Sequence, residues 1–266
     1  MTAPQNPRRK ETEAERRERL AREALIGIAP GFRYGRRFLR TIPSNPRCKL
    51  CASPFGGAGG RVMRMIGKAP WRNNPKYCSA CFKQLTQHHG GAEIECTLLF
   101  ADVRNSTPLA EAIGPTQFRE LMDRYFRTAS NVLFEHDAVV DKFMGDEVIA
   151  IFIPALTGEL HAQRAIEAGR ELLRVTGHDQ GTPWVPIGVG INTGLAFVGT
   201  VGEGDGTELT ALGDPVNVAA RLASAAGEGE VLVTLAAAES AELQVEGLEH
   251  RTLALKGKSE TTDVVV

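Results

Sequence analysis

The sequence is short of several things, and each shortage excludes a class of protein. It has 5 cysteines in 266 residues, too few to staple a secreted scaffold with disulfides. It has no uninterrupted run of about 18 apolar residues, the length a membrane-crossing helix needs. No apolar segment follows the charges of Met1-Thr-Ala-Pro-Gln-Asn-Pro-Arg-Arg-Lys10, so these residues do not read as a secretory leader. The expected compartment is the cytoplasm, where thiols stay reduced. Net charge is nearly absent too, at −1.

What is present is ordinary globular material: 42% hydrophobic and 24% charged residues in 28.7 kDa, enough for one or two domains with a real core. The small net charge hides a division. Residues 1–90 hold 19 Lys and Arg against 5 Asp and Glu, whereas residues 91–266 hold 12 against 27. Two such halves read as different physical objects. The basic half would suit a nucleic acid or an anionic surface, or it would dock on the acidic half. It is poor in aromatics and has no helix with recognition spacing, so nucleic acid is not the expected partner.

Three regions follow from composition. Residues 1–47 form an Arg-rich arm, with a charged, weakly amphipathic helix over 11–25 and little regular structure beyond it. Residues 48–90 are rich in Gly and Pro and read as loops. Residues 91–266 change to regular elements. A buried strand runs over 96–101 and ends at Asp102. Phe118, Leu121, Met122, Tyr125, Ala129, Val132 and Leu133 recur at helical spacing and predict a helix over 107–135. Apolar runs at 139–143 and 148–153 flank Met144-Gly-Asp-Glu147 as a hairpin. A helix is expected at 160–175, strands at 185–191 and 195–201 around Asn192-Thr-Gly194, a helix at 216–225, and late strands at 231–233, 243–245, 251–255 and 264–266. The order β-α-β-β-α-β is the ferredoxin-like pattern with additions, an α+β fold.

Two carboxylates stand out. Asp102 ends a strand and Asp146 sits in the hairpin turn, so neighbouring strands would bring both to one sheet edge. Two carboxylates with few Lys nearby suit Mg²⁺ or Mn²⁺, which take oxygen ligands. Behind Asp102, the free N–H groups of a helix start suit phosphate oxygens. Taken singly, each Asp is also common turn chemistry. In Gly213-Asp-Pro-Val-Asn-Val-Ala-Ala-Arg221, Pro215 fits a helix start, and Asn217 and Arg221 share one helix face. Asn offers an amide to sugar hydroxyls and Arg a fork to phosphoryl oxygens.

Six runs in order carry a resemblance: Leu99-Phe-Ala-Asp-Val103, Asp141-Lys-Phe-Met-Gly-Asp-Glu147, Gly188-Val-Gly-Ile-Asn-Thr-Gly194, Gly199-Thr-Val-Gly202, Gly213 to Leu222, and Lys256-Gly-Lys258. Residues 96–258 resemble a class III nucleotidyl cyclase domain. The resemblance implies two divalent ions per active site, held by Asp102, Asp146 and the backbone carbonyl of Val103. It implies that Asn217 orients the ribose and Arg221 stabilises the charge on phosphorus, with Lys256, or else Lys258, on the terminal phosphates. It implies base recognition by Lys142 and Thr210, a pairing that suits ATP over GTP. It further implies a homodimer with composite sites, Asp102 and Asp146 from one chain and Lys142, Thr210, Asn217 and Arg221 from the other. The expected activity is adenylate cyclase; the alternative is a weak or degenerate cyclase fold that binds nucleotide or signals. Asn105 departs from the family's usual Gly in the phosphate loop, which bears on rate, although Asn accepts left-handed backbone angles.

Cys48-Lys-Leu-Cys51 and Cys78-Ser-Ala-Cys81 are two Cys-x-x-Cys pairs. Four thiolates suit tetrahedral Zn²⁺ and equally an iron–sulfur centre. Zinc is the commoner occupant. No Gly follows the second Cys of either pair, which keeps iron–sulfur as the rival. Either would make a regulatory or dimerising module. His88 and His89 are substitute ligands at most, and Cys96 reads as a buried core residue.

Overall fold

The structure, a computed structural model, describes residues 12–27, 39, 42, 44, 46–48, 51–72, 74–86, 90–201, 208–255 and 261–266. Helix α1 (Glu13–Leu25) begins at a reciprocal cap. The Thr12 hydroxyl accepts from the Glu15 N–H at 3.2 Å, and the Glu15 carboxylate accepts from the Thr12 N–H at 2.7 Å. Its few apolar residues are the ones it buries: Ala21, Ala24 and Leu25.

The stretch expected as loops is instead ordered: α2 (Gly57–Met65), β1 (Pro70–Trp71) hairpinned to β2 (Asn74–Cys78), and α3 (Ser79–Thr86). One glycine there serves close approach. A Cβ on Gly60 would stand 2.3 Å from the Phe55 carbonyl oxygen, so only glycine lets α2 settle on that chain.

The remaining residues form an eight-stranded sheet. In chain order they are β3 (Gly91–Val103), α4 (Ser106–Glu135), β4 (Val139–Met144), β5 (Glu147–Phe152), α5 (Pro154–Thr157), α6 (His161–Thr176), β6 (Ile187–Val201), β7 (Glu208–Leu212), α7 (Asp214–Ala225), β8 (Val231–Thr234), α8 (Leu235–Ser240), β9 (His250–Leu253) and β10 (Thr262–Val265). The sheet runs β4-β5-β3-β6-β8-β10-β9, with β7 paired to β6. The β4-β5-β3-β6 part is antiparallel throughout and has the ferredoxin-like order expected from the pattern. Strand β8 adds parallel to β6.

Within the sheet domain three expectations are corrected, and two elements are added. Residues 187–201 are one strand, because Asn192-Thr-Gly194 is not a turn. A Cβ on Gly194 would lie 2.9 Å from the Pro215 ring, and the Asn192 amide donates to the Pro215 carbonyl at 3.0 Å, so this segment receives α7. Strand β7 and helix α8 were not foreseen, and residues 243–245 are not a strand. Helix α4 breaks at Gly114, whose φ of 79° is non-helical, just before Pro115.

Both sheet faces are covered. On one, Leu99, Ala101, Val148, Ala150, Phe152, Val189 and Ile191 pack with Met122, Tyr125 and Leu133 of α4 and Ala165 and Leu172 of α6. On the other, Ile94, Cys96, Leu98, Ile149 and Ile151 join one apolar cluster with Leu25, Phe55, Tyr77 and the four paired cysteines, while Ala219 and Ala223 of α7 extend it. Each fully buried Val, Leu, Ile or Phe side chain among them contributes about 1.5–3 kcal/mol. The basic region therefore docks on the acidic one through an apolar seam, with ion pairs such as Lys76–Glu135 (2.9 Å) at its margin.

Candidate active site

The register of the sheet brings the two carboxylates together. Strand β3 pairs with β5 so that Asp102 lies opposite Glu147, which places Asp146, in the β4–β5 turn, beside it. Gly145 makes that turn with a φ of 63°. Burial raises the Asp102 carboxyl, and the Asp146 carboxylate raises it further against the lowering effect of Arg104. Glu147 is pushed up to about 7 by burial and by the charges of Asp102 and Asp146. Three crowded carboxylates, of which Asp102 and Glu147 resist ionising, are a donor set that a hard divalent cation would relieve, so the residues fit Mg²⁺ or Mn²⁺. Val103 is the last residue of β3, beside Asp102.

Arg104 is a site residue that sequence reasoning passed over. In the turn that leaves β3, Arg104 folds back and pairs with the Asp102 carboxylate. It also donates to the carbonyls of Ser224 (3.0 Å) and Ala226 (3.3 Å) at the end of α7. Asn105 takes the left-handed conformation (φ 54°, ψ 34°), and no side chain caps the first turn of α4. Its N–H groups there are left for another acceptor.

Lys142 and Thr210 meet at a residue the sequence did not single out. The Thr210 hydroxyl, buried, donates to Asp141 Oδ2 at 2.8 Å, and Lys142 Nζ lies 3.7 Å from Asp141 Oδ1. A neighbour of Lys142 in the motif was the available signal. Asn217 is exposed and Arg221 half-buried, one turn apart on α7. No hydrogen bond or ion pair joins them to Asp102 or Asp146 within the described residues of this chain. Lys256, Lys258, His88 and His89 lie outside the described residues.

Away from this edge, the sulfurs of Cys48, Cys51, Cys78 and Cys81 all lie within 4.8 Å of one another, and all four side chains are buried. The neighbouring thiols donate to Cys51 and hold it well below the usual thiol range. Cys96 is buried alone in β3, and burial pushes its thiol up to about 12.

The adenylate and guanylate cyclase catalytic domain profile matches residues 91–266. The chain belongs to that family, the class III nucleotidyl cyclases. It is similar to an adenylate cyclase of Anabaena cylindrica, 29% identical over 110 residues (40% of this chain, 22% of the relative). It is similar to adenylate cyclase 1 of Rhizobium meliloti, 30% identical over 123 residues (43% and 18%). The matched stretch is thus about a fifth of those relatives' length. Among solved structures, the guanylyl cyclase Cya2 superposes with a TM-score of 0.60 at 28% identity, covering 66% of this chain and 92% of that one. The adenylyl cyclase CyaB from P. aeruginosa gives 0.57 at 28% identity, covering 66% and 95%. No helix among the described residues is long and apolar enough to cross a membrane.

Proposed function

We propose that the chain is an adenylate cyclase, converting ATP to 3′,5′-cyclic AMP and pyrophosphate. The observation that carries the choice of base is the bond from Thr210 to Asp141. A threonine hydroxyl has one proton. With that proton engaged by Asp141, Thr210 presents only an accepting oxygen to anything else. Lys142 beside it can only donate. With Lys142 at N1 and Thr210 at the 6-position, as the family resemblance assigns them, the pair matches adenine, whose N1 accepts and whose 6-amino group donates. It opposes guanine, whose N1–H donates and whose O6 accepts.

Asp102, Asp146 and the Val103 carbonyl would hold the divalent ions. When bound, such ions would offset the triphosphate charge and acidify the ribose 3′-hydroxyl, whose proton passes to solvent. The 3′-oxygen then bonds to the α-phosphorus, the bond to the β-phosphate oxygen breaks, and pyrophosphate leaves. Asn217 orients the ribose through its amide. Arg221 stabilises the negative charge that builds on the phosphoryl oxygens. The first turn of α4 and Lys256 receive the phosphates.

The reading places each site between two copies, the carboxylates on one and Lys142, Thr210, Asn217 and Arg221 on the other. Exposed apolar side chains support a second copy: Phe143 and Met144 at the hairpin, Leu195 and Val201 on β6, and Leu212 on β7. Reduced cysteines support a cytoplasmic setting.

One observation favours a second reading, a weak cyclase or nucleotide-binding module: Arg104 occupies a carboxylate that the first reading gives to a metal. The deciding experiment supplies the purified chain with ATP or GTP and Mg²⁺ or Mn²⁺. Cyclic AMP from the wild type, lost in Asp102→Ala, is the expected result. No product from either nucleotide, with nucleotide still bound, transfers the assignment to the second reading. Asp141→Ala removes the acceptor, frees the Thr210 proton and should shift the ATP-to-GTP ratio of kcat/KM toward GTP by about tenfold, the size of one hydrogen bond.

A further inference from the structure

The four cysteines outside the catalytic edge are an assembled ligand set. Cys48, Cys51, Cys78 and Cys81 are 2%, 6%, 0% and 4% exposed, and none is in a disulfide. We propose that they bind a single Zn²⁺ as a four-thiolate site, and that this site, acting through Tyr77, fixes the turn that leads into strand β4.

The sulfur spacing argues for one ion. All four sulfurs lie within 4.8 Å of one another, with Cys51 and Cys78 at 3.6 Å. A tetrahedral zinc with Zn–S bonds of about 2.3 Å sets its sulfurs roughly 3.8 Å apart along every edge. In a two- or four-iron cluster, sulfides lie between the irons and the thiolates bind different irons. Its four cysteine sulfurs therefore spread wider than those around one ion. The environment also suits a net-negative thiolate centre. The Cys78 N–H donates to the Cys48 sulfur at 3.2 Å, and Lys68 Nζ approaches the Cys51 sulfur at 3.9 Å. Such N–H and ammonium contacts offset thiolate charge and orient the ligands. Soft sulfur ligands without carboxylates select zinc over the hard cations of the catalytic edge.

The second half of the inference follows β2. Cys78 ends that strand, and the two residues before it reach the catalytic sheet. Tyr77, 1% exposed, donates its hydroxyl to Asp137 Oδ1 at 3.1 Å, and Lys76 pairs with Glu135 at 2.9 Å. Glu135 ends α4, and Asp137, with a φ of 63°, makes the turn into β4. Strand β4 then carries Asp141 and Lys142. A metal ligand, a buried hydroxyl and an ion pair thus stand in consecutive positions, so the metal site and the α4–β4 turn are joined by three residues of one strand. Loss of the ion would release β2 and with it the turn.

The test uses the full chain, purified with and without oxygen and never exposed to added metal. Elemental analysis should find one zinc per chain and only trace iron. Cobalt exchanged into the site should give the visible bands of a tetrahedral four-thiolate centre. Two or more irons per chain with sulfide-to-iron absorption, or no bound metal in folded protein, would overturn the metal assignment. For the coupling, zinc is withdrawn from the wild type with a chelator, and Tyr77→Phe is prepared alongside as the variant that keeps all four ligands. Amide exchange in residues 139–142 should quicken by about tenfold in both, the equivalent of one lost hydrogen bond, while Tyr77→Phe retains its zinc and its overall melting temperature. Exchange at wild-type rate in Tyr77→Phe would refute the coupling. Kinetics add a readout that rests on the proposed cyclase reaction: KM for ATP should rise in Tyr77→Phe by about threefold with kcat nearly unchanged. A wild type that makes no product would defeat that reaction and leave the metal and exchange results standing.

Discussion

The two regions of the molecule reach order by different routes. The sheet of residues 91–266 is held by its own hydrophobic layers, with 13 paired positions between β3 and β6 and buried aliphatic residues on both faces. The region before it has short elements, a two-stranded sheet, and a core whose centre is four cysteines. Such a region lacks the apolar area to hold itself; the sheet's second face makes up part of the difference, and the proposed metal would make up the rest. The comparison teaches that the N-terminal region is not an appendage. It covers Ile94, Cys96 and Ile151, which would otherwise face water.

The comparison can be sharpened from its strongest expected effect downward. Asp146→Ala should lower cyclic nucleotide formation about a thousandfold or more while leaving the circular dichroism spectrum intact, because it removes a proposed metal ligand and buries no new group. A spectrum that changes as much as the activity would mean that the residue serves the hairpin instead. Next come the two close approaches, one in each region. A Cβ on Gly190 would stand 2.3 Å from the Ala223 backbone nitrogen, and one on Gly60 equally close to the Phe55 carbonyl oxygen. Gly190→Ala should push α7 off the sheet and cost about 1–3 kcal/mol of global stability. Gly60→Ala should loosen α2 alone, detected as proteolysis before residue 90 with the melting of the sheet unchanged. If Gly60→Ala lowers the main melting transition as far as Gly190→Ala, the two regions fold as one unit and the contrast fails.

A smaller effect concerns Arg104. Because it grips Asp102, Arg104→Gln should lower the Mn²⁺ concentration needed for half-maximal activity by about threefold, one modest charge-assisted contact. A higher requirement would assign Arg104 to organising the site through its bonds to Ser224 and Ala226. A last effect is a pH dependence inside the sheet. His161 is bonded to Thr97 at 2.8 Å, Thr97 in turn meets Thr193, and Glu95 is the charge that faces it. Burial holds its folded-state pKa below the ordinary 6.5. The unfolded chain therefore binds the proton first as pH falls. Stability is full above about 6.5 and declines below it, by at most about 1.4 kcal/mol per pH unit. Denaturant titrations of His161→Gln should show a flatter profile below that pH, and an identical slope would dismiss the histidine as its source.

Much of the candidate site was legible in the sequence. The hairpin around Asp146, the strand ending at Asp102, and the helix carrying Asn217 and Arg221 all show in local patterns, and the left-handed Asn105 was within the tolerance of its side chain. Other features were misread for one shared reason. Gly194 resembled a turn glycine, but it is there for Pro215, which approaches from 21 residues further along the chain. The glycines near residue 60 resembled a flexible loop, but Gly60 is set by contact with Phe55. Asp141 looked like a motif neighbour of Lys142 until β7 placed Thr210 against it.

The sequence by itself determined the kinds of element, the division between a basic and an acidic half, and the residue types at each site position. Periodicity, composition and motif order are properties of short windows, and a short window is enough to read them. Only the tertiary structure decided that Asp102 faces Glu147, that Arg104 turns back onto Asp102, and that four thiols from segments 27 residues apart gather within reach of one ion. Those facts depend on register and on which faces meet across the core. Both are set by the packing of distant residues against each other, which no local stretch of chain contains.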